Sequence, residues 1–239
     1  MVDPAMDDWT VVIQTSEAPA ELALAKSARL VCRAGIGHAR RHAGDLAPTL
    51  SGLMRAEGIE ARQIKTIVVA RGPGGYTGLR VGLASALAIH LLTRARLIAV
   101  PTLEAVAYQS PPGWRQVLVV ADALRGRAFF QAFSRCDEAW LPASGLDLVV
   151  WEELPCRSLI FPAGRWAGPG LNRMLSSGLV FPDQDCGISN PRGVTVEGLL
   201  QAAKCRIGRG VTDDPEEVDI LYGQPSSAEE QWKKLHPAS

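Results

Sequence analysis

The sequence has no paired cysteines and no long hydrophobic run, and these absences argue against several classes of protein. Its five cysteines are scattered and none forms a C-x-x-C pair, which argues against a disulfide framework or a zinc site. The longest nearly uncharged apolar run, Val81 to Leu92, is too short to cross a bilayer. Residues 1–8 contain three aspartates and lack the apolar core of a signal peptide. We therefore expect a cytoplasmic protein that does not enter the membrane.

An excess of basic charge is also missing. The 239 residues carry 25 acidic and 25 basic side chains, so the formal net charge is zero. A protein that binds nucleic acid unaided usually has a basic excess, because contacts to phosphates dominate that affinity. If RNA is involved, we expect this chain to reach it only indirectly, through a partner.

The spacing of apolar residues predicts two α/β halves. In the first, a helix through Leu46, Leu50 and Met54 and two later helices at 78–93 and 102–109 alternate with strands at 9–13, 21–26, 29–33, 65–70 and 97–100. After the linker Ser110–Gly113, strands are predicted at 116–121, 127–133, 146–150 and 158–161, then a loop at 164–170 and a helix at 196–207. The predicted boundaries are 1–109, 110–212 and an ordered arm with a loose tail, 213–239.

A glycine-rich turn joins a predicted strand to the second helix. It reads Arg71-Gly72-Pro73-Gly74-Gly75-Tyr76-Thr77-Gly78-Leu79-Arg80. It is not a Walker A loop, because no Gly-Lys-Ser/Thr follows, and Thr77 stands where G-x-G-x-x-G would need its third glycine. Such a turn either offers backbone amides to an anion or lets the helix pack closely on the sheet. From the residues alone we favour the packing interpretation.

The helix after this turn is apolar on nearly all sides. Between Val81 and Leu92 only Ser85 and His90 are polar. A row of small residues at Gly78, Gly82 and Ala86 would let a second helix approach closely. The helix is therefore either central to its own domain, or has one face in the domain and one against a partner. The pattern does not decide between these two.

Residues 71–83, R-G-P-G-G-Y-T-G-L-R-V-G-L, closely resemble the G-P-G-S-[YF]-T-G-[LV]-R-[IV]-G signature of the TsaB (YeaZ) family. Gly75 stands where that family usually has serine. The flanks are similar too: 100–105 resembles V-S-T-L-E-A and 122–127 resembles D-A-R-x-G-E. The tail at 220–235 resembles Y-L-R…W-K-K-L, with Gly223 in place of arginine. The resemblance covers most of the chain and is faint between Asp137 and Val211.

The resemblance implies an actin-like (ASKHA) α/β fold, made of duplicated ribonuclease-H-like βββαβαβα units with a degraded second half. It also implies a non-catalytic scaffold or activator in the synthesis of N6-threonylcarbamoyladenosine in tRNA. The partners would be a catalytic TsaD-like paralogue and a TsaE-like ATPase, with tRNA contacted only through the complex. The implied partner interface lies on the second helix at Gly78, Leu79, Gly82, Leu83, Ala86, Leu87 and His90.

The resemblance further implies that catalytic chemistry is absent. The catalytic paralogue binds a metal through H-x-x-x-H, whereas Thr102 and Val106 stand at the matching positions here. Actin-like ATPases need an aspartate where this chain has Gln14, and a neutral amide is a poor partner for Mg²⁺. We therefore predict no cofactor, no metal and little or no binding of Mg-ATP.

Other assignments remain open. The chain could be a nucleotide-dependent actin-like enzyme or a glycopeptidase, although Gln14, Thr102 and Val106 argue against both. It could also be a stand-alone homodimer with a structural role, because an apolar helix can pair with itself. His38 and His42 share a helical spacing, and we favour a surface pair over a zinc site.

Overall fold

The computed structural model of the chain describes residues 8–36, 42–179 and 193–223. These residues form two mixed sheets of five strands each, with helices between the sheets and on both outer faces. No helix in the described ranges is long and apolar enough to cross a membrane. His38 and the tail beyond Gly223 lie outside the described residues, as does the side chain of His42.

The first sheet has the strand order β3-β2-β1-β4-β5. The strands β1, β2 and β3 pair antiparallel, whereas β1, β4 and β5 run parallel. Strand β4 reads I-K-T-I-V-V-A and is buried apart from one lysine, as expected for a strand covered on both faces. The elements of this unit are β1 (Trp9–Gln14), β2 (Ala20–Lys26), β3 (Arg29–Ile36), α1 (His42–Ala56), β4 (Ile64–Ala70), α2 (Tyr76–Thr93), β5 (Arg96–Val100) and α3 (Thr102–Ala107).

The second sheet has the order β10-β6-β7-β8, with β9 also paired to β7. It repeats the first in outline, because antiparallel strands come first and a strand parallel to β6 follows. The elements of this unit are β6 (Gln116–Asp122), β7 (Arg127–Cys136), β8 (Ala139–Pro142), β9 (Asp147–Val150), α4 (Leu154–Leu159), β10 (Arg165–Ala167), α5 (Leu171–Ser176) and α6 (Val196–Gly208).

This arrangement is the actin-like α/β fold that the sequence predicted, with a reduced second half. Strand β10 has only three residues, and α4 and α5 have six each. Helix α6 follows the second sheet but packs with α3 in the core between the two sheets, where Val68 and Val119 meet Leu199. The two units therefore share one apolar layer. The boundaries at 109 and 212 stay a prediction.

Several details differ from the sequence prediction. The expected strand at 158–161 is wrong, because 154–159 is helix α4, which starts with a proline in its first turn. The expected loop at 164–170 contains β10. Strand β8 and helix α5 were not predicted. Short apolar runs fit a strand and a helix equally well, so pairing with neighbours decides between them.

Candidate functional site: an apolar groove, an interlobe cleft and a strap

The glycines after β4 make room for the end of β1. Gly75 donates its backbone N–H to the carbonyl oxygen of Ser16 at 2.6 Å. A side-chain carbon on Gly74 would lie 2.5 Å from that same oxygen, and one on Gly78 would overlap the carbonyl oxygen of Thr15. The turn thus allows close packing between β1 and α2, and its Gly75 N–H is already hydrogen-bonded to Ser16. This agrees with the packing interpretation of the glycine-rich turn.

The small-residue row on α2 faces the same strand end. A side-chain carbon on Gly82 would overlap the hydroxyl oxygen of Thr15 and lie 3.6 Å from Val69. The row therefore lets β1 and β4 approach the helix, whereas the sequence had suggested a second helix. On this inner face the structure buries Gly78, Leu79, Gly82, Leu83 and Ala86.

Those five positions were expected at a partner interface, and the structure buries all five of them. Gly78 and Gly82 lie directly against Thr15, and the side chains of Leu83 and Ala86 belong to the apolar core of the first unit. Leu87 and His90, the other two expected positions, are half-buried. The Nδ1 atom of His90 lies 2.8 Å from the carbonyl oxygen of Ala95, which places the ring at the C-terminal end of the helix.

The opposite face of α2 is apolar and exposed. Ala84 and Ala88 lie on it, and it ends in Leu91 and Leu92, which are 66% and 85% exposed. A leucine exposed to that degree at the end of an apolar face is typical of an association surface. The sequence predicted the helix but could not separate its core face from its exposed face, because its pattern is apolar all round.

An apolar groove runs between α1 and α2. Its volume is about 650 Å³. Met54 on α1 and Leu92 on α2 both line it, and Arg55 and Glu60 are its charged lining residues. The groove is lined by Leu46, Ala47, Leu50, Ser51, Met54, Arg55, Ile59, Glu60, Ala61, Ile64, Ser85, Ala88, Ile89, Leu92 and Thr93. Its size and apolar lining suit side chains of a packed helix.

A second cavity, the interlobe cleft, separates the glycine-rich turn from the β6–β7 turn. Its volume is about 320 Å³, and it is lined by Pro73 from the first unit and Phe129 from the second. Two carboxylates line it, and both are engaged. Glu17 accepts the backbone N–H of Val194, and burial raises the pKa of Glu17. Asp122 accepts the N–H of Leu124 and a guanidinium hydrogen bond from an arginine on α5.

The cleft does not fit the Mg-nucleotide of actin-like ATPases. Gln14 is 1% exposed, and its amide donates to the carbonyl oxygen of Val194 at 3.1 Å. Thr102 and Val106 are buried. Among the described residues, no lysine or arginine lines the cleft. The described part of the chain contains no group of three His, Cys, Asp or Glu side chains placed to hold a metal.

The segment Asp213–Gly223, here called the strap, folds back over the first unit. Asp213 pairs with β5, since its N–H donates to Leu97 and its carboxylate accepts the N–H of Ala99 at 2.8 Å. Farther along, the N–H of Leu221 donates to the carbonyl oxygen of Arg71 at 2.8 Å. The sequence suggested an ordered arm from its apolar residues at 218–222, and the structure shows that the strap packs on the chain itself.

Tyr222 anchors the strap on the first turn of α2. Its ring stacks on Tyr76 with 4.9 Å between centroids. The guanidinium of Arg80 lies 4.2 Å from the centre of the Tyr76 ring, and its Nε donates to the Tyr222 hydroxyl at 2.8 Å. The glycine-rich turn thus contributes Arg71, Tyr76 and Arg80 to holding the strap, a role that no sequence pattern indicated.

Known proteins resemble this chain in sequence and in fold. The family model described as TsaD, tRNA N6-adenosine threonylcarbamoyltransferase, matches residues 37–154. The tRNA threonylcarbamoyladenosine biosynthesis protein TsaB of Escherichia coli (strain K12) is 25% identical over 209 residues, 82% of this chain and 85% of that protein. A tRNA N6-adenosine threonylcarbamoyltransferase of Erythrobacter litoralis (strain HTCC2594) is 39% identical over 72 residues, 30% of this chain and 21% of that protein.

The fold comparison agrees. The structure of YeaZ from Pseudomonas aeruginosa matches with a TM-score of 0.76 at 20% identity, covering 90% of this chain and 99% of that one. This likeness shows a shared actin-like architecture across nearly the whole of both chains.

Proposed function

We propose that the chain is a member of the TsaB (YeaZ) family and is the non-catalytic scaffold or activator subunit of a complex that makes N6-threonylcarbamoyladenosine in tRNA. Its main partner is a catalytic TsaD-like paralogue. A TsaE-like ATPase joins the same complex. This chain contacts tRNA only indirectly, through the other subunits of the complex. The complex works in the cytoplasm.

The observation that carries the proposal is the apolar groove between α1 and α2. Leu92 on its wall is 85% exposed, and Leu91 beside it is 66% exposed. Leaving such a surface in water is unfavourable by roughly 25 cal/mol for each Å² of apolar area, so a partner that covers it gains binding energy. A helix pair from a paralogue with the same fold could pack against α1 and α2 and place its apolar side chains in the groove between them. We propose that the partner surface includes Ala84, Ala88, Leu91 and Leu92 on the exposed face of α2.

The residues that stand where related enzymes carry their catalytic groups support the non-catalytic part of the proposal. Gln14 is committed to carbonyl oxygens, and Thr102 and Val106 are buried side chains that do not bind metals. The two cleft carboxylates, Glu17 and Asp122, are held by backbone N–H groups. These residues offer no activated nucleophile and no metal ligand set.

The test is size-exclusion chromatography with light scattering, on this chain mixed with the TsaD-like paralogue from the same genome. We expect a 1:1 complex with the unchanged chain and its loss with Leu92→Glu. Leu159→Glu is the matched control, because Leu159 is 62% exposed but lies on α4, at the opposite outer face. That variant is expected to bind normally.

Two outcomes would contradict the proposal. If both variants bind like the unchanged chain, the groove is not the interface. If the chain does not bind the paralogue but forms a homodimer that Leu92→Glu disrupts, the groove is the interface between two copies of this chain instead. Turnover of ATP or of a glycopeptide by the purified chain alone would favour the enzyme alternative.

A further inference from the structure

The strap reaches from the first sheet to the second without forming a helix or strand of its own. It begins at the edge of the first sheet, where Asp213 pairs with Leu97 on β5. It ends at Gly223, where a side-chain carbon would lie 2.5 Å from the ring of Phe129 on β7. Phe129 lines the interlobe cleft. The strap therefore bridges the two units at the edge of the cleft.

The strap also contacts the glycine-rich turn of the first unit, next to the cleft. The carbonyl oxygen of Leu221 lies so close to Gly72 that a side chain there would collide with it. Gly72 has a φ of 109°, a backbone conformation that residues with side chains avoid. The next residue, Pro73, lines the cleft. From Leu221 to Gly223 the strap therefore contacts both units beside the cleft.

The strap is attached less firmly than the sheets it joins. None of its residues is fully buried, and its largest apolar side chains, Val218, Ile220 and Leu221, are half-buried. Its anchor is also near the surface, since Tyr76 under Tyr222 is 41% exposed. Segments with partial burial and few backbone hydrogen bonds open at a lower free energy than the core.

We propose that the strap is a releasable latch that holds the interlobe cleft closed, with Tyr222 as its anchor residue. While the Tyr222 ring stacks on Tyr76 and its hydroxyl accepts a hydrogen bond from Arg80, the glycine-rich turn and Phe129 are kept at a fixed separation. When the Tyr222 ring moves away from Tyr76, the strap no longer links the glycine-rich turn to Phe129. The cleft then opens. This device works within the single chain and does not depend on the partner proposal.

Hydrogen–deuterium exchange of the purified chain tests the latch. Tyr222→Ala removes the stacking contact and the hydrogen-bond acceptor. We expect exchange to rise about tenfold at the Leu221 and Ala99 amides and in both cleft turns, 71–75 and 122–127. Tyr222→Phe keeps the ring and loses only the acceptor, so a smaller rise of about threefold is expected. Glu217→Ala is the matched control, because Glu217 is an exposed strap residue away from the anchor.

The distribution of the change decides the outcome. Faster exchange in the strap and in both cleft turns, with strand β4 unchanged, supports the latch. Faster exchange in the strap alone overturns it, because the strap would then hang free without holding the cleft. An exchange pattern like that of the unchanged chain also overturns it, since Tyr222 would not be the anchor. Faster exchange throughout, β4 included, would mean global destabilisation and would equally overturn it.

Discussion

The backbone of Gly78 on α2 lies against the carbonyl oxygen of Thr15, with no room for a side chain between them. This contact sets the distance between the helix and the first sheet. The helix can reach the end of β1 only because Gly78 and Gly82 lack a side chain. The position of the outer face of α2, and of the groove beside it, follows from this close approach.

Replacing Gly78 with alanine should therefore destabilise the fold. The new methyl group would overlap a backbone oxygen, and backbone cannot move aside as a flexible side chain can. We expect a loss of about 2–4 kcal/mol in the free energy of unfolding, measured by urea denaturation. Gly52→Ala on α1 is the control, because Gly52 has no neighbouring atom within 4 Å. That change should be neutral or stabilising by about 0.5–1 kcal/mol.

The two faces of α2 should respond differently to the same substitution. Leu83 is 7% exposed and packs in the core, so Leu83→Glu would bury an unpaired carboxylate and should cost about 3 kcal/mol or more. Leu92 is 85% exposed, so Leu92→Glu should change stability by less than about 0.5 kcal/mol. Thermal unfolding followed by circular dichroism measures both. Equal losses would mean that the face assignment is wrong.

Gln14 should be intolerant of a carboxylate. Its amide nitrogen donates to the carbonyl oxygen of Val194, with Glu17 and Pro19 carbonyls at 3.4 Å, and its Oε1 has no partner among the described residues. Gln14→Glu would replace the donor by a buried acceptor facing carbonyl oxygens. We expect a loss of about 2 kcal/mol or more by urea denaturation.

Calorimetry of Mg-ATP tests the same position. We expect little or no Mg-ATP binding by the unchanged chain and no higher affinity in Gln14→Glu. The Gly75 N–H, which could otherwise bind a phosphate, already donates to the carbonyl oxygen of Ser16. A micromolar affinity that requires Mg²⁺ would contradict this account of the cleft.

Glu17 should make the fold less stable as the pH rises through the mildly acidic range. Burial raises the pKa of Glu17 above its usual value of 4.5, so the folded state holds the proton more tightly than the unfolded state does. The stabilising contribution of the proton is complete below pH 4.5 and is lost as the pH rises through the folded-state pKa. Stability measured from pH 4.5 upward should therefore decline.

Glu17→Gln is the diagnostic variant for that decline. Its amide oxygen can still accept the N–H of Val194, but the side chain no longer titrates. We expect a flatter dependence of unfolding free energy on pH, and higher stability than the unchanged chain near pH 7. If the unfolding free energy of Glu17→Gln falls with pH as steeply as that of the unchanged chain, another titrating group causes the decline.

The sequence was informative where local chemistry decides structure. The apolar run of β4 and the β-branched residues of β1 predicted buried strands, and the glycines after Gly72 predicted a close-packed turn. The long signature at 71–83 also indicated the family. These features are local in the chain, so neighbouring residues carry all the information they need.

The tertiary structure alone decided which side of α2 faces water and where the strap lies. Helix α2 carries apolar residues on nearly all of its sides, so periodicity could not separate the core face at Leu83 from the exposed face at Leu92. Similarly, Tyr222 meets Tyr76 and Arg80 across more than 140 residues of intervening chain, as the hydrogen bond between 80 and 222 shows. A contact between distant segments depends on the path of the folded chain, which residue spacing does not record.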